Sequence, residues 1–122
     1  MIFYHGTRRS NLTGIMNSGL RAGYGWGAEK PGVFLSKDPS TAAYWAGKSI
    51  EKSGDLSDSP LVLQVNIPAD SMDNVVPRRT NFAREGDAQY VGEIPPEWIK
   101  PISNAQVESV DLLRTFIKHH LI

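Results

Sequence analysis

The sequence begins with a run of residue types that could bind a ligand together. Tyr-His-Gly-Thr occupies residues 4–7, so an imidazole, a length of bare backbone and a hydroxyl follow one another. Histidine titrates near neutral pH, and glycine leaves its N–H and C=O open to close approach. We expect His5, Gly6 and Thr7 to face a ligand at the end of a short strand formed by residues 2–5.

A second stretch follows the same pattern. Pro-Gly-Val-Phe-Leu-Ser at residues 31–36 predicts a glycine-led strand that ends on a hydroxyl. Asp38 as N-cap and Pro39 at the first helical position predict a helix that continues to about Ser53. The apolar residues of this helix recur on one face, and Tyr44 is turned away from it. Its ring is therefore expected to be exposed or to form the wall of a cleft.

The elements that must position these groups come in the order strand, helix, loop, strand, helix and then mostly strands, which predicts the α+β class. Ser10 to Gly19 has the signals of a short helix, and residues 61–67 and 88–94 have those of strands. Residues 21–31 carry three glycines at alternate positions. This segment is interpreted either as a flap over a pocket or as an ordinary surface loop.

Composition narrows the function classes. The chain has 122 residues, equal numbers of basic and acidic side chains and no cysteine. These values indicate one domain spanning residues 1–122, with no disulfide and no thiol catalysis. A P-loop, a dinucleotide-binding fingerprint and a serine elbow are missing, and the adjacent His119 and His120 do not suit a metal site. With no apolar run of membrane-spanning length, we expect a cytoplasmic protein that does not enter a membrane.

Five stretches in order carry a family resemblance. Residues 4–7, Ser-Gly-Leu at 18–20, Gly-Val-Phe-Leu-Ser at 32–36 and Ala-Ala-Tyr at 42–44 resemble the first two-thirds of an ADP-ribosyltransferase domain. The branch is the His-Tyr-Glu branch, which includes poly-ADP-ribose polymerases, diphtheria-type toxins and small prokaryotic and phage members. Residues 90–99 resemble the strand and proline turn that end the catalytic core in the small members, and also the C-terminal lobe of tRNA 2′-phosphotransferases.

The resemblance implies two small, mainly antiparallel sheets around an NAD cleft, with flanking helices. NAD would be the co-substrate, and its nicotinamide–ribose bond would be cleaved so that ADP-ribose passes to a protein, nucleic acid or small molecule. By the family's pattern His5 contacts the ribose, the Gly6 backbone holds the nicotinamide amide, and Tyr44 stacks on the nicotinamide ring. The other residues expected to line the cleft are Thr7, Phe34 and Ser36.

At one position the sequence departs from the family. Counted back from Ile-Pro-Pro at residues 94–96, the position of the glutamate that the family uses to stabilise the developing cation falls on Gln89. A glutamine can hydrogen-bond a ribose hydroxyl but carries no charge to offset a cation. A strand through residues 88–94 would place Gln89, Val91 and Glu93 on one face, so Glu93 is either the missing carboxylate or a solvent-facing side chain near a turn.

Three functions follow as hypotheses. The first is an active ADP-ribosyltransferase, toxin-like, with a macromolecular acceptor and a cognate inhibitor or immunity protein, acting in a host cytoplasm if phage-encoded or delivered. The second is a non-catalytic module that binds NAD, ADP-ribose or a protein. The third is an RNA 2′-phosphotransferase-like enzyme, in which phosphate would be bound by arginines. Those arginines are Arg8, Arg78, Arg79 and Arg84.

Overall fold

The computed structural model describes residues 1–23, 31–77 and 87–103, which form an α+β fold. The strands are β1 (Ile2–Arg8), β2 (Gly32–Leu35), β3 (Pro60–Asn66), β4 (Val75–Pro77), β5 (Ala88–Val91) and β6 (Ile99–Ile102). The helices are α1 (Leu12–Ser18) and α2 (Pro39–Ser53). Short 3₁₀ turns occupy Arg9–Asn11, Ala69–Asn74 and Pro96–Trp98.

The strands form two small antiparallel sheets, an arrangement that the family resemblance implies. The first sheet has the order β1-β3-β6, and the second has the order β2-β5-β4. In the first sheet Gly6 lies opposite Val62, and in the second Phe34 lies opposite Gln89. Because β3 is central, it is buried along most of its length, which explains its nearly continuous apolar sequence.

Strand β1 is longer than predicted. It does not end at His5 but continues through Gly6 and Thr7 to Arg8, because every residue from Ile2 to Arg8 pairs with β3. The expectation of a histidine at a strand end is therefore wrong. His5 lies in the middle of a strand, where its position is held by neighbours on both sides.

The main core lies where apolar faces of both sheets meet. It contains Phe3 of β1, Leu63 of β3, Leu35 of β2 and Tyr90 of β5, together with Ile15 of α1. The opposite face of the first sheet is covered by α2, where Ala42 packs in a second cluster that includes Tyr4, Val62 and Ile102. A strand of the first sheet therefore has one face toward the main core and the other toward α2.

Helix α2 has the bounds that the sequence predicts. Its predicted apolar face is buried except at Trp45, which is half-buried. The helix starts at Pro39, after Asp38 in an extended conformation, and ends before Gly54, whose φ is +75°. Its buried residues are Pro39, Ala42, Ala46 and Ile50. None of the helices within the described ranges is long and apolar enough to span a membrane.

Other local predictions need correction. Ser10 does not cap α1, because it lies in the 3₁₀ turn and its Oγ donates to Oδ2 of Asp58 at 2.5 Å. The N-cap position belongs to Asn11, while Gly19, with φ of +80°, ends the helix as predicted. Strand β5 stops at Val91 because the next residue, Gly92, has a φ of +115° that interrupts the extended backbone.

Candidate functional site

The two sheets meet edge to edge at one backbone pair. Tyr4 N–H donates to the Ser36 carbonyl and Ser36 N–H donates to the Tyr4 carbonyl, both at 2.8 Å. Tyr4 belongs to β1, an edge strand of the first sheet, and Ser36 directly follows β2, an edge strand of the second. In the part of the chain that the structure describes, the ladder between β1 and β2 is limited to this pair.

This pair determines where the backbone of Gly6 points. Alternate residues of an antiparallel strand direct their N–H and C=O to opposite sides. Since Tyr4 points to Ser36, Gly6 directs its N–H and C=O to the same side, away from β3. Within residues 1–23, 31–77 and 87–103 no backbone bond is formed there. We call this outward N–H and C=O the Gly6 edge.

The imidazole of His5 explains why the ladder stops. A continued ladder would place Gly6 opposite Phe34. Instead, the Phe34 carbonyl lies 2.7 Å from Nδ1 of His5. A carbonyl only accepts, so Nδ1 carries the proton, and Nε2 is left as an acceptor in the neutral ring. The side chain therefore takes the acceptor that the next backbone pair would use.

The environment of His5 keeps its ring neutral. Desolvation lowers the pKa of His5 below its ordinary value of 6.5, and the hydrogen bond to the Phe34 carbonyl opposes this effect. The side chain is half-buried. At neutral pH the ring is thus an uncharged group with a fixed tautomer, suited to accept a hydrogen bond from a ligand hydroxyl at Nε2.

The other side of Gly6 shows why this residue is a glycine. A Cβ built there would overlap the carbonyl oxygen of Ala42, and would lie 2.7 Å from the Ala42 carbonyl carbon and 2.9 Å from the Ala46 nitrogen. The backbone of α2 thus packs directly on β1 at this point. Packing alone requires a glycine here, independently of any ligand.

Three of the buried polar side chains lie on or directly beside the strands of the second sheet, close to the joint. Within the described ranges, the buried polar or charged residues are Thr7, Ser36, Asp87 and Gln89. Ser36 Oγ donates to Oδ1 of Asp87 at 3.1 Å. Gln89 lies opposite Phe34 and covers Gly32, where an added Cβ would be 2.5 Å from its Nε2. Buried polar groups cost free energy, so such a concentration marks a site under structural or functional constraint.

Phe34 and Thr7, the two other residues expected to line the cleft, differ in their surroundings. Phe34 is half-buried, on the same strand face as Gln89. Thr7 is buried, and its hydroxyl accepts from Nδ2 of Asn11 at 3.1 Å. The Thr7 hydroxyl therefore ties β1 to the following turn.

Tyr44 is exposed, one of the two outcomes that its helical position predicts, with 43% of its surface accessible. Its ring packs edge-on against Trp45 at 5.1 Å between centroids, and Nζ of Lys48 lies 5.6 Å from its centroid. Ala42 and Ala46 are the α2 residues that contact Gly6. At about 100° per residue, Tyr44 is on the opposite face of the helix from that contact. The structure thus does not place Tyr44 over the Gly6 edge.

Trp45 is the aromatic residue on the flank of α2 that the sequence did not single out as a site residue. Trp45 is half-buried and its ring meets that of Tyr44 edge-on. Its neighbour Ala43 packs against the cluster containing Val62. Its position next to Tyr44 is the sequence feature that could have indicated Trp45.

Two further predicted residues lie away from the joint. Glu93 is exposed and follows Gly92, beyond the end of β5, so it does not share a strand face with Gln89. Nη1 of Arg8 is 3.9 Å from Oδ2 of Asp58. Several residues named in the sequence analysis lie outside the described residues. They are Arg78, Arg79, Arg84, His119, His120 and most of the loop 21–31. Among those that are described, no group of three or more His, Asp or Glu side chains is arranged to hold a metal ion.

Comparison with known proteins adds no assignment to this geometry. No protein-family model matches the chain, and no curated protein matches it at a significant level.

Proposed function

We propose that the chain is an NAD-dependent ADP-ribosyltransferase whose nicotinamide subsite is the Gly6 edge beside His5. The observation that carries this proposal is the outward N–H and C=O of Gly6, next to a neutral imidazole with a fixed tautomer. Two three-stranded antiparallel sheets joined edge to edge at Tyr4 and Ser36 agree with the ADP-ribosyltransferase-like fold that the sequence resembles.

The Gly6 edge is complementary to a primary carboxamide. A carboxamide has one carbonyl acceptor and an NH₂ donor, and one backbone residue in a strand offers a donor and an acceptor on the same side. Nicotinamide carries such a group on a flat ring. It can therefore extend the ladder of β1 at the point where His5 prevents Phe34 from doing so.

His5 would orient the sugar attached to this ring. Because Nδ1 donates to the Phe34 carbonyl, Nε2 accepts, and a ribose hydroxyl is a donor of suitable reach. Holding the ribose and the leaving group in one geometry lowers the entropic part of the barrier to breaking the bond between them. A protein, nucleic acid or small molecule would then receive the ADP-ribose.

The first experiment tests the carboxamide subsite by calorimetry with nicotinamide and with nicotinic acid. Nicotinic acid has no N–H donor and places a negative carboxylate against the Gly6 carbonyl. We expect nicotinamide to bind at least about tenfold more tightly, equivalent to about 1.4 kcal/mol, the net contribution of one good hydrogen bond. Equal affinity for the two ligands would contradict the subsite.

The second experiment tests the reaction by nicotinamide release from NAD. Wild type is compared with His5→Ala and with Glu93→Ala, which removes an exposed carboxylate. We expect release by wild type and by Glu93→Ala, and a loss of about 100-fold or more in His5→Ala. Release that persists in His5→Ala would remove His5 from the site.

A non-catalytic NAD- or ADP-ribose-binding module is the second candidate. It is favoured by Gln89, which is buried over Gly32 at the position where the resemblance places a glutamate. In that case NAD binds without release of nicotinamide, and Gln89→Glu restores release. The third hypothesis, phosphate binding by arginines, has weaker support because Arg8 lies beside the carboxylate of Asp58.

A further inference from the structure

The second sheet buries a carboxyl group that no role described so far requires. Asp87 is buried, with 8% of its surface exposed. Burying a carboxylate costs free energy unless hydrogen bonds or charges compensate. Ser36 supplies one such bond, from Oγ to Oδ1 at 3.1 Å.

The register places Asp87 on the face that carries Gln89. The ladder between β2 and β5 ends with Phe34 opposite Gln89 and Leu35 opposite Ala88. Extending this register by one residue sets Ser36 opposite Asp87, which agrees with the bond between their side chains. Residues two apart on a strand share a face. Asp87 and Gln89 therefore flank the same short length of β5, opposite Ser36 and Phe34.

Asp87 is related to His5 through two neighbouring residues, Phe34 and Ser36. Diagonal neighbours on a sheet face lie about 7–8 Å apart, which is the expected spacing from Phe34 to Asp87. The Phe34 carbonyl accepts from His5, and Ser36 forms the backbone pair with Tyr4. The contact between His5 and Phe34 adjoins the Gly6 edge. The carboxyl group of Asp87 is hydrogen-bonded to Ser36, two residues after Phe34.

We propose that Asp87 is the catalytic carboxylate of this site, held by Ser36, and that it replaces the charge that Gln89 cannot provide. The inference rests on the proposed function and names the group that would stabilise its transition state. Ser36 is then a positioning residue, because its hydroxyl acts through Asp87. Gln89 contributes hydrogen bonds to ribose hydroxyls without charge.

Asp87 contributes to the proposed reaction only through its negative charge. The bond between ribose C1′ and the pyridinium nitrogen breaks, and both electrons go to the nitrogen, so nicotinamide leaves neutral. Positive charge develops on C1′ and the ring oxygen. An acceptor hydroxyl or water then forms the new bond to C1′ and loses its proton to solvent. A fixed negative charge near the ribose stabilises that cation more than the ground state.

The test compares Asp87→Asn with Glu93→Gln, a matched removal of charge from an exposed side chain. Asparagine keeps the shape and an oxygen that can accept from Ser36. Three quantities are measured for each protein: the thermal midpoint, the NAD dissociation constant by calorimetry, and the single-turnover rate of nicotinamide release. A double variant, Asp87→Asn with Gln89→Glu, tests whether a charge two residues along the same face restores the rate.

The expected result for Asp87→Asn is a fall of about 100-fold in release, with the NAD dissociation constant within about threefold of wild type. Glu93→Gln keeps the wild-type rate, and the double variant recovers part of it. Release by Asp87→Asn within about threefold of wild type would overturn the role of Asp87 and leave the proposed function standing. A wild type that neither binds NAD nor releases nicotinamide would overturn both.

A separate measurement covers the case in which Asp87→Asn does not fold. Ser36→Ala is then compared with wild type, because it removes the hydroxyl that holds Asp87 and keeps the charge. We expect its single-turnover release to fall about tenfold while the NAD dissociation constant stays within about threefold of wild type. Release by folded Ser36→Ala at the wild-type rate would overturn the proposal.

Discussion

The substitution Gly6→Ala gives the sharpest test of the packing between β1 and α2. The added methyl group would overlap the carbonyl oxygen of Ala42 and would approach the Ala42 carbonyl carbon to 2.7 Å, where ordinary contact begins near 3.4 Å. These atoms belong to the helix backbone, so no side-chain rotation can relieve the overlap. The helix or the strand must move by more than half an ångström.

The loss of folding stability in Gly6→Ala can be estimated from similar overpacking in protein interiors. Inserting a carbon into a well-packed core costs about 1–3 kcal/mol, and rigid neighbours place this case at the upper end, near 3 kcal/mol. Movement of α2 would also disturb the packing of Ala46 and Ile50. For a domain of this size, a loss of about 3 kcal/mol lowers the midpoint of thermal unfolding by roughly 10 °C.

The assay is thermal and urea unfolding of Gly6→Ala beside Gly47→Ala. Gly47 lies in the same helix, and a Cβ there meets nothing within 4 Å. Alanine in a helix interior is favoured over glycine by about 0.5–1 kcal/mol, so Gly47→Ala should raise the midpoint slightly. A Gly6→Ala protein as stable as wild type would show that β1 and α2 do not approach as described, and would leave the glycine to be explained by ligand binding.

Three further predictions concern single residues. Gly92→Ala should destabilise the fold by about 1 kcal/mol or more in urea titrations, because its φ of +115° is strained for alanine, although the added Cβ would meet only Cε1 of Tyr90 at an ordinary 3.8 Å. Ser36→Ala should cost about 1–3 kcal/mol by removing a partner of buried Asp87, whereas Ser57→Ala, at an exposed hydroxyl, should change stability by less than about 0.5 kcal/mol. The lowered pKa of His5 means that the unfolded chain binds its proton more readily than the folded one. Stability should therefore fall as the pH drops below about 6.5, by at most about 1.4 kcal/mol per pH unit, and His5→Gln should flatten this dependence.

Local signals in the sequence were sufficient to predict the elements that begin or end at a proline or a glycine. Pro39 and Gly54 bound α2, and Gly19 ends α1, because these residues restrict or permit backbone angles regardless of the rest of the fold. The alternation that predicts β3 is equally local. These features needed no knowledge of tertiary contacts.

Features that depend on pairing between distant segments were harder to predict from the sequence. Strand β1 continues past His5 because β3 pairs with it as far as Arg8, and β5 stops early because Gly92 adopts a positive φ. For the candidate site, the sequence indicated His5, Gly6, Ser36 and Gln89, which the structure brings to one joint. It did not indicate Asp87 as a site residue, since the bond to Ser36 spans 51 positions.

The backbone pair between Tyr4 and Ser36 can be used to measure separation of the two sheets. Its two amide hydrogens are the ones whose bonds cross from one sheet to the other at this point. Their exchange with deuterated water therefore measures how often the sheets separate, whereas amides inside either sheet measure unfolding of that sheet. A ligand that bridges the Gly6 edge and the second sheet would slow exchange at Tyr4 and Ser36 first. Residue-resolved exchange at these two positions would thus detect such a ligand even if no reaction follows.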